Sequence, residues 1–238
     1  MNSKKTDKQT DNAKIVNNKV AQEIKQNPSQ TMIQDIDWSR YRPVIIPTPD
    51  FSCNFFTMLT LFQVGMKTNN EYSFDFLVSK SNNPVPSRQL LFEQLKMRSG
   101  QKVLRGFFID SDSMISPEPK VVDKLISAMK RADREHFSFV VPYRVVKNED
   151  VSYTAIFSNE GKLMTAEDVK QLFDFDKILS SGLGFYYGDL PLDYKFRFGD
   201  DRGEDWWFFK ENNIDLRILK MPCYHVKTMV LPPVFNDI

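Results

Sequence analysis

The chain has 238 residues, of which 41% are hydrophobic, and its formal net charge is +1. This length and hydrophobic content are sufficient for one sizeable α/β domain, and the near-neutral charge gives no reason to expect a nucleic-acid partner. The two cysteines, Cys53 and Cys223, are far apart and form no Cys-x-x-Cys pair. This argues against a disulfide framework and favours a reducing compartment.

Residues 1–38 are predicted to form a polar N-terminal extension, flexible or helical, ahead of a single domain over residues 39–238. The extension lacks the apolar stretch that a secretory signal needs. The longest uncharged run, Phe51–Met66, is too short to span a bilayer and is predicted to be a core helix. We therefore expect a cytoplasmic protein without a transmembrane segment, with peripheral membrane attachment and homo-oligomer contacts left open.

Strands and helices alternate along the first 144 residues, and the second half is less regular. The predicted elements are, in order, strand 44–46, helix 52–66, strand 74–79, helix 87–98, strand 103–109, helix 117–134, strand 137–143, strand 151–157, helix 165–173, strand 178–187, helix 204–212 and strand 216–219. The alternation is typical of an α/β fold with a mostly parallel central sheet flanked by crossover helices.

Two carboxylates stand directly after the apolar strand that ends in Phe107-Phe108-Ile109. Asp110 and Asp112 are one residue apart, so in extended chain they point to the same side. Ligands of open α/β sheets bind at the carboxyl ends of strands, and such oxygen pairs suit Mg²⁺ or Mn²⁺. The alternative is a solvated turn in which Asp112 helps to start the next helix.

Two further clusters carry charge near predicted helix starts. Arg88 is poorly placed for a helix dipole, which suggests an anionic ligand such as a diphosphate, although an exposed arginine is an equal alternative. Glu204 and Asp205 precede an aromatic run. They either stabilise the dipole of the following helix or provide a general base at the mouth of an apolar pocket.

Two weaker features complete the set of candidates. Gly182 and Gly184 permit close approach of the backbone, but Ser181-Gly-Leu-Gly-Phe185 is not a dinucleotide fingerprint. His225 follows the last predicted strand, and taken alone it is more readily a surface histidine than a metal ligand.

In their order along the chain, these clusters resemble the GT-A fold of nucleotide-sugar glycosyltransferases, particularly family 2. The resemblance covers residues 42–226, and order and spacing make it more specific than any single motif. The matching segments are Pro86-Ser87-Arg88, Phe108-Ile109-Asp110-Ser111-Asp112, Ser181-Gly182-Leu183-Gly184-Phe185, Gly203-Glu204-Asp205-Trp206 and His225.

For the donor, the resemblance implies a nucleoside-diphosphate sugar of the UDP or GDP type. Asp112 would bind the Mn²⁺ or Mg²⁺ ion that bridges the diphosphate, with Asp110 directed toward the ribose or the ion. His225 would add a late contact to the metal or the diphosphate. Arg88 would face the nucleotide, and Ser111 would belong to the same donor site.

For the acceptor, the resemblance implies a hydroxyl of a glycan, a lipid-linked molecule or a protein. Gly182 and Gly184 would lie under the donor sugar or the acceptor. Asp205 would be the base that deprotonates the acceptor, with Glu204 orienting it, in an inverting displacement. The basic Gln-x-x-Arg-Trp pattern of processive synthases does not follow the acidic pair, so single transfers are expected.

Two other functions fit parts of the same pattern. A haloacid-dehalogenase-like phosphatase also places Asp-x-Asp after an apolar strand, and Gly199-Asp200 with Asp205 resembles its later acidic motif. In that class Ser113 would replace the usual threonine or valine, and Arg88 and His225 would have no role. The remaining alternative is a non-catalytic GT-A-like domain that binds sugar or protein.

Overall fold

The computed structural model describes residues 36–48, 53–80, 84–145, 155–197, 203–221 and 223–225. Contacts within the chain separate Met1–Asp37 from Trp38–Ile238, and the fold described below belongs to the second unit. The predicted N-terminal extension lies almost entirely outside the described residues, as do Gly199 and Asp200.

The described residues form five helices and eleven strands. The helices are α1 (Phe55–Lys67), α2 (Pro84–Ser99), α3 (Pro119–Glu135), α4 (Ala166–Gln171) and α5 (Glu204–Glu211). The strands are β1 (Tyr41–Thr48), β2 (Ser73–Lys80), β3 (Val103–Ile109), β4 (Ser113–Ile115), β5 (Ser138–Val140), β6 (Tyr143–Val145), β7 (Ile156–Phe157), β8 (Ser180–Ser181), β9 (Phe185–Pro191), β10 (Leu216–Ile218) and β11 (Cys223–His225).

Six strands form the central sheet in the order β10-β5-β9-β3-β1-β2. Strand β1 is parallel to both β2 and β3, and β10 is parallel to β5, whereas β9 runs antiparallel to its neighbours β3 and β5. The predicted α/β class with a mostly parallel, helix-flanked sheet is therefore confirmed. The reversed direction of β9 was not predicted, because a residue pattern marks a strand without giving its direction.

Helices cover both faces of this sheet, and successive residues of β3 show the division. Phe107 belongs to the core cluster that includes residues of α1 and α3. Phe108 contacts Phe92 of α2 and Phe208 of α5, with ring centroids 6.0 and 6.4 Å apart. Both rings of β3 are fully buried because the strand is covered from both sides.

Local signals explain several helix boundaries. The Asn54 side chain accepts hydrogen bonds from the backbone N–H groups of residues 56 and 57, so α1 begins at its N-cap. At the far end of α2, Gly100 has φ +65° and its N–H donates to the carbonyl of Lys96. At α4 the Thr165 and Asp168 side chains form a capping box, since each accepts a hydrogen bond from the other's backbone N–H.

Several predicted elements differ from the observed ones; the strand predicted over 137–143, for example, forms the two strands β5 and β6. The segment predicted as one strand over 178–187 forms two, β8 and β9, with Gly182–Gly184 between them. The run predicted as a core helix is buried on one side only: Phe55, Phe62 and Met66 of α1 are 70%, 62% and 63% exposed. An uncharged run does not indicate which side of a helix stays uncovered, and α1 packs on the sheet with one side only.

At the amino-terminal ends of β1 and β3, a largely buried ion-pair cluster joins the sheet to α3. Asp133 forms salt bridges with Arg42 at 2.9 Å and Arg105 at 2.8 Å, and it accepts a hydrogen bond from the Tyr187 hydroxyl at 2.8 Å. Burial alone would raise the pKa of Asp133, but the bonds and charges of these partners outweigh it. Its pKa is therefore lower than that of an ordinary aspartate.

Candidate functional site

The carboxyl end of β3 leads into a tight turn that carries the Asp-Ser-Asp segment. The Asp110 N–H donates to the Gly184 carbonyl at 3.2 Å, and the Ser113 N–H donates back to the Asp110 carbonyl at 3.0 Å. The Ser111 carbonyl accepts from the Asn54 N–H at 2.8 Å. The turn is thus held between the start of α1 and the glycine segment before β9.

Strand pairing brings His225 to Asp112. Strand β11 is antiparallel to β4, and its register places His225 opposite Ser113. The His225 Nε2 atom consequently lies 2.6 Å from Oδ2 of Asp112. Two residues separated by more than a hundred positions meet because the last described strand returns to the end of β3.

Arg88 is buried and lies among three carboxylates of the site. Its guanidinium donates to Asp110 at 3.0 Å, to Glu204 at 2.5 Å and to Asp205. These contacts join the first turns of α2 and α5 to the end of β3. In this structure the charge of Arg88 is directed at protein carboxylates.

Burial and charge act in opposite directions on these groups. Burial raises the pKa of Asp110, and the adjacent charge of Arg88 opposes the shift. Burial likewise raises the pKa values of Glu204 and Asp205; the charge of Asp205 adds to the rise for Glu204, and the charge of Asp110 adds to the rise for Asp205. For Arg88, burial would lower the pKa, but the three carboxylates raise it. The guanidinium is therefore held in its charged form.

Asp205 also connects α5 to the glycine segment. Its Oδ2 atom accepts a hydrogen bond from the Leu183 N–H at 3.2 Å, while Oδ1 accepts from Arg88. Both carboxylate oxygens are therefore oriented by the protein. A carboxylate has about four lone-pair sites, so this arrangement retains capacity to accept a further hydrogen bond.

The aromatic run of α5 is mostly core. Phe208 and Phe209 are buried, and Phe208 stacks on Phe196 at 5.5 Å. Cations lie over the two preceding rings: Lys210 Nζ is 4.2 Å from the Trp206 ring centre, and Arg197 Cζ is 4.4 Å from that of Trp207. The aromatic residues that follow the acidic pair therefore pack largely into the core.

The structure brings the sequence-predicted candidates to one end of the sheet. Three carboxylates contact the Arg88 guanidinium and a fourth, that of Asp112, contacts His225, so the region is strongly acidic in its ionised state. Within the described ranges, no three His, Cys, Asp or Glu side chains form a group that could hold a metal ion. The candidates that meet are Arg88, Asp110, Ser111, Asp112, Gly182, Gly184, Glu204, Asp205 and His225.

Sequence reasoning missed two supporting residues. Asn54 caps α1 and binds the Ser111 carbonyl through its backbone, and an asparagine before an apolar helix is a recognisable N-cap signal. The Thr57 hydroxyl donates to the Ser113 carbonyl at 2.6 Å and accepts from the Ile115 N–H at 3.0 Å. No sequence pattern indicates this second role, because it depends on how α1 packs against β4.

None of the helices in the described part of the chain has the length and hydrophobicity needed to cross a bilayer. Comparison with models of known protein families and with curated proteins gave no match to this chain.

Proposed function

We propose that the protein is a metal-dependent glycosyltransferase of the GT-A type, which transfers a sugar from a nucleoside-diphosphate sugar to an acceptor hydroxyl in single, inverting steps. One observation carries the proposal: the metal-ligand candidates Asp112 and His225, which are 2.6 Å apart, share one site with the candidate base Asp205. Arg88 contacts both Asp110 and Asp205 and so joins the two parts of this site.

The sheet topology supports a ligand at this place. Strand β1 lies between β2 and β3, and the chain crosses from β2 over β1 to reach β3. Ligands of open α/β sheets bind outside the carboxyl ends of the strands, and Asp110 directly follows the carboxyl end of β3.

The available donors suit a hard divalent ion bound together with phosphates. Mg²⁺ and Mn²⁺ favour carboxylate oxygens, and in nucleotide sites they are usually held by one or two carboxylates plus the substrate phosphates. Asp112 and Asp110 would supply these oxygens, and His225 would add a late contact. When bound, the ion would neutralise charge on the leaving nucleoside diphosphate.

Asp205 is the proposed general base. Its carboxylate is oriented by Arg88 and by the Leu183 N–H, and burial raises its pKa toward the range in which a base accepts a proton effectively. It would take the proton of the acceptor hydroxyl while that oxygen attacks the anomeric carbon. Glu204 would orient this group through their shared contact with Arg88.

The donor site can be tested by thermal unfolding with UDP, GDP and their sugars, with and without Mn²⁺. A ligand present at a hundred times its Kd stabilises by about 2.7 kcal/mol, which corresponds to roughly 5 to 10 °C for a domain of this size. We expect a Mn²⁺-dependent rise with one nucleotide, which Asp112→Asn abolishes. The matched control is Asp123→Asn, because Asp123 is an exposed residue of α3 that pairs with Lys67.

Other outcomes would contradict the proposal. If no nucleotide shifts the melting temperature and the protein hydrolyses phosphate esters, the phosphatase alternative is correct. If a sugar nucleotide binds but no acceptor receives the sugar, the domain is a binding module.

A further inference from the structure

The outward face of α1 exposes three large apolar side chains in one row. Phe55, Phe62 and Met66 are 70%, 62% and 63% exposed, and Leu59 between them is half-buried. Their spacing of three and four residues places them on one face of the helix. The opposite face, which includes Leu61 and Val64, is buried in the core.

Strand β2 extends this apolar surface. It is the outermost strand of the sheet in the part of the chain that the structure describes. Its residues Phe74, Phe76 and Val78 are two positions apart, so they lie on the same face of the sheet, the one that α1 covers. A Cβ atom built on Gly65 would lie 3.4 Å from Cδ2 of Phe74, so helix and strand adjoin there. Phe76 and Val78 are 38% and 40% exposed.

The exposed area is large enough for an interface. Two phenylalanines and one methionine, each about two thirds exposed, contribute roughly 400 Å², and the two β2 residues bring the total to about 500 Å². A specific interface buries at least about 1,000 Å² counted over both partners. Two copies of this surface, placed face to face, reach that size.

The charge pattern favours a second copy as the occupant. Between Phe55 and Met66 the helix carries no charged residue, and the adjacent Lys67 pairs with Asp123 at 2.6 Å. Helices that lie on membranes usually present lysine or arginine around their apolar face. When the uncharged α1 surfaces of two copies pack against each other, no charged side chain is buried without a partner.

We propose that α1 and the adjoining face of β2 form the interface of a symmetric dimer, in which the α1 helices of two copies pack antiparallel. The 55-59-62-66 spacing is that of a helix that packs along another helix. A two-fold axis near the middle of the row places Phe55 of one copy beside Met66 of the other. The two helix dipoles then oppose each other, and this inference does not depend on the proposed enzymatic function.

Light scattering on the full chain after size-exclusion chromatography, run across a dilution series, tests the dimer. We expect the mass of two chains for the wild type and of one chain for Phe62→Glu. Met97→Glu is the matched control: Met97 is 79% exposed on α2, on the other face of the sheet, and this variant should remain dimeric.

A monomeric wild type throughout the series would overturn the proposal, as would a Phe62→Glu variant that remains dimeric. Sedimentation with phosphatidylglycerol vesicles tests whether a lipid surface, and not a second copy, covers this face. A monomeric wild type that binds vesicles, with binding lost in Phe62→Glu, would assign the surface to lipid instead. Met66→Glu repeats the test at a second position should Phe62→Glu fail to fold.

Discussion

The Arg88 guanidinium donates a hydrogen bond to the Asp110 carboxylate at 3.0 Å and links the first turn of α2 to the end of β3. The same group reaches Glu204 and Asp205 at the start of α5. One buried cation therefore holds together acidic groups that would repel one another in its absence. The stability of the site and its geometry depend on the same side chain.

Arg88→Met should lower the free energy of unfolding by about 3–5 kcal/mol near neutral pH, because it leaves buried carboxylates without this counter-charge. The loss should shrink as the pH falls, since burial raises the pKa values of these carboxylates and protonation removes their repulsion. Urea unfolding at two pH values measures both effects.

The control for this prediction is Arg98→Met. Arg98 pairs with Asp75 at 2.9 Å, but both side chains are about one third exposed, so the loss should be below about 1 kcal/mol. Equal losses for the two variants, or a loss in Arg88→Met that does not depend on pH, would contradict the account of Arg88.

Asp133→Asn should destabilise the fold by about 2–3 kcal/mol near neutral pH, through weaker hydrogen bonds to charged partners. The pKa of Asp133 is lowered in the folded state, so its contribution is present above the ordinary aspartate value of about 4 and is lost as the pH falls through the folded value. The difference between wild type and variant should therefore disappear in acid. Unfolding midpoints over a pH series test this, with Asp123→Asn as the exposed control.

Gly106→Ala should be destabilising because the backbone of β1 lies against this glycine of β3. An added Cβ would approach the Pro43 carbonyl oxygen to 2.4 Å, and backbone atoms in a paired sheet cannot easily move away. Overpacking of this kind typically costs about 1–3 kcal/mol. Gly65→Ala in α1 is the comparison: its Cβ would meet only the Phe74 ring at 3.4 Å, and alanine favours helix. Chemical unfolding should show a lower free energy of unfolding for Gly106→Ala and not for Gly65→Ala.

Asp205→Asn should reduce nucleoside-diphosphate release from the donor sugar by about 10²–10⁴-fold if Asp205 is the base. The wild-type rate should fall as the pH drops through the pKa of Asp205, which burial raises above its ordinary value, because the protonated carboxyl cannot accept a proton. The rate of the Asp205→Asn variant should not show this fall at low pH. Nucleotide-induced thermal stabilisation should be retained, which shows that the donor site is intact. Full activity with an unchanged pH profile would exclude Asp205 as the base.

Much of the fold was predictable where one local pattern decides the structure. The apolar run 103–109 coincides with β3, and the helix predicted over 165–173 contains the observed α4. The direction of β9 could not be predicted, because it depends on which neighbours the strand pairs with. The exposure of Phe62 was also missed, since an uncharged helix gives no indication of which face remains uncovered.

For the site, the sequence indicated which residues belong together but not how they interact. The convergence of Asp110 and Asp112 with Asp205 follows from strand ends and helix starts, which patterns do reveal. Two contacts depend on tertiary packing: the burial of Arg88 among carboxylates, and the 2.6 Å contact of His225 with Asp112. No local signal separates a buried arginine with three acidic partners from an exposed one.

The position of the antiparallel strand β9 determines when the central sheet can be completed during synthesis. Strand β9 connects β3 to β5 in the sheet, but it emerges from the ribosome roughly 75 residues after β3 is complete. Protein synthesis adds about 5–20 residues per second, so the backbone groups on this edge of β3 stay unpaired for roughly 4 to 15 s. The nascent chain therefore passes through a period in which an apolar strand edge is open to pairing with other chains.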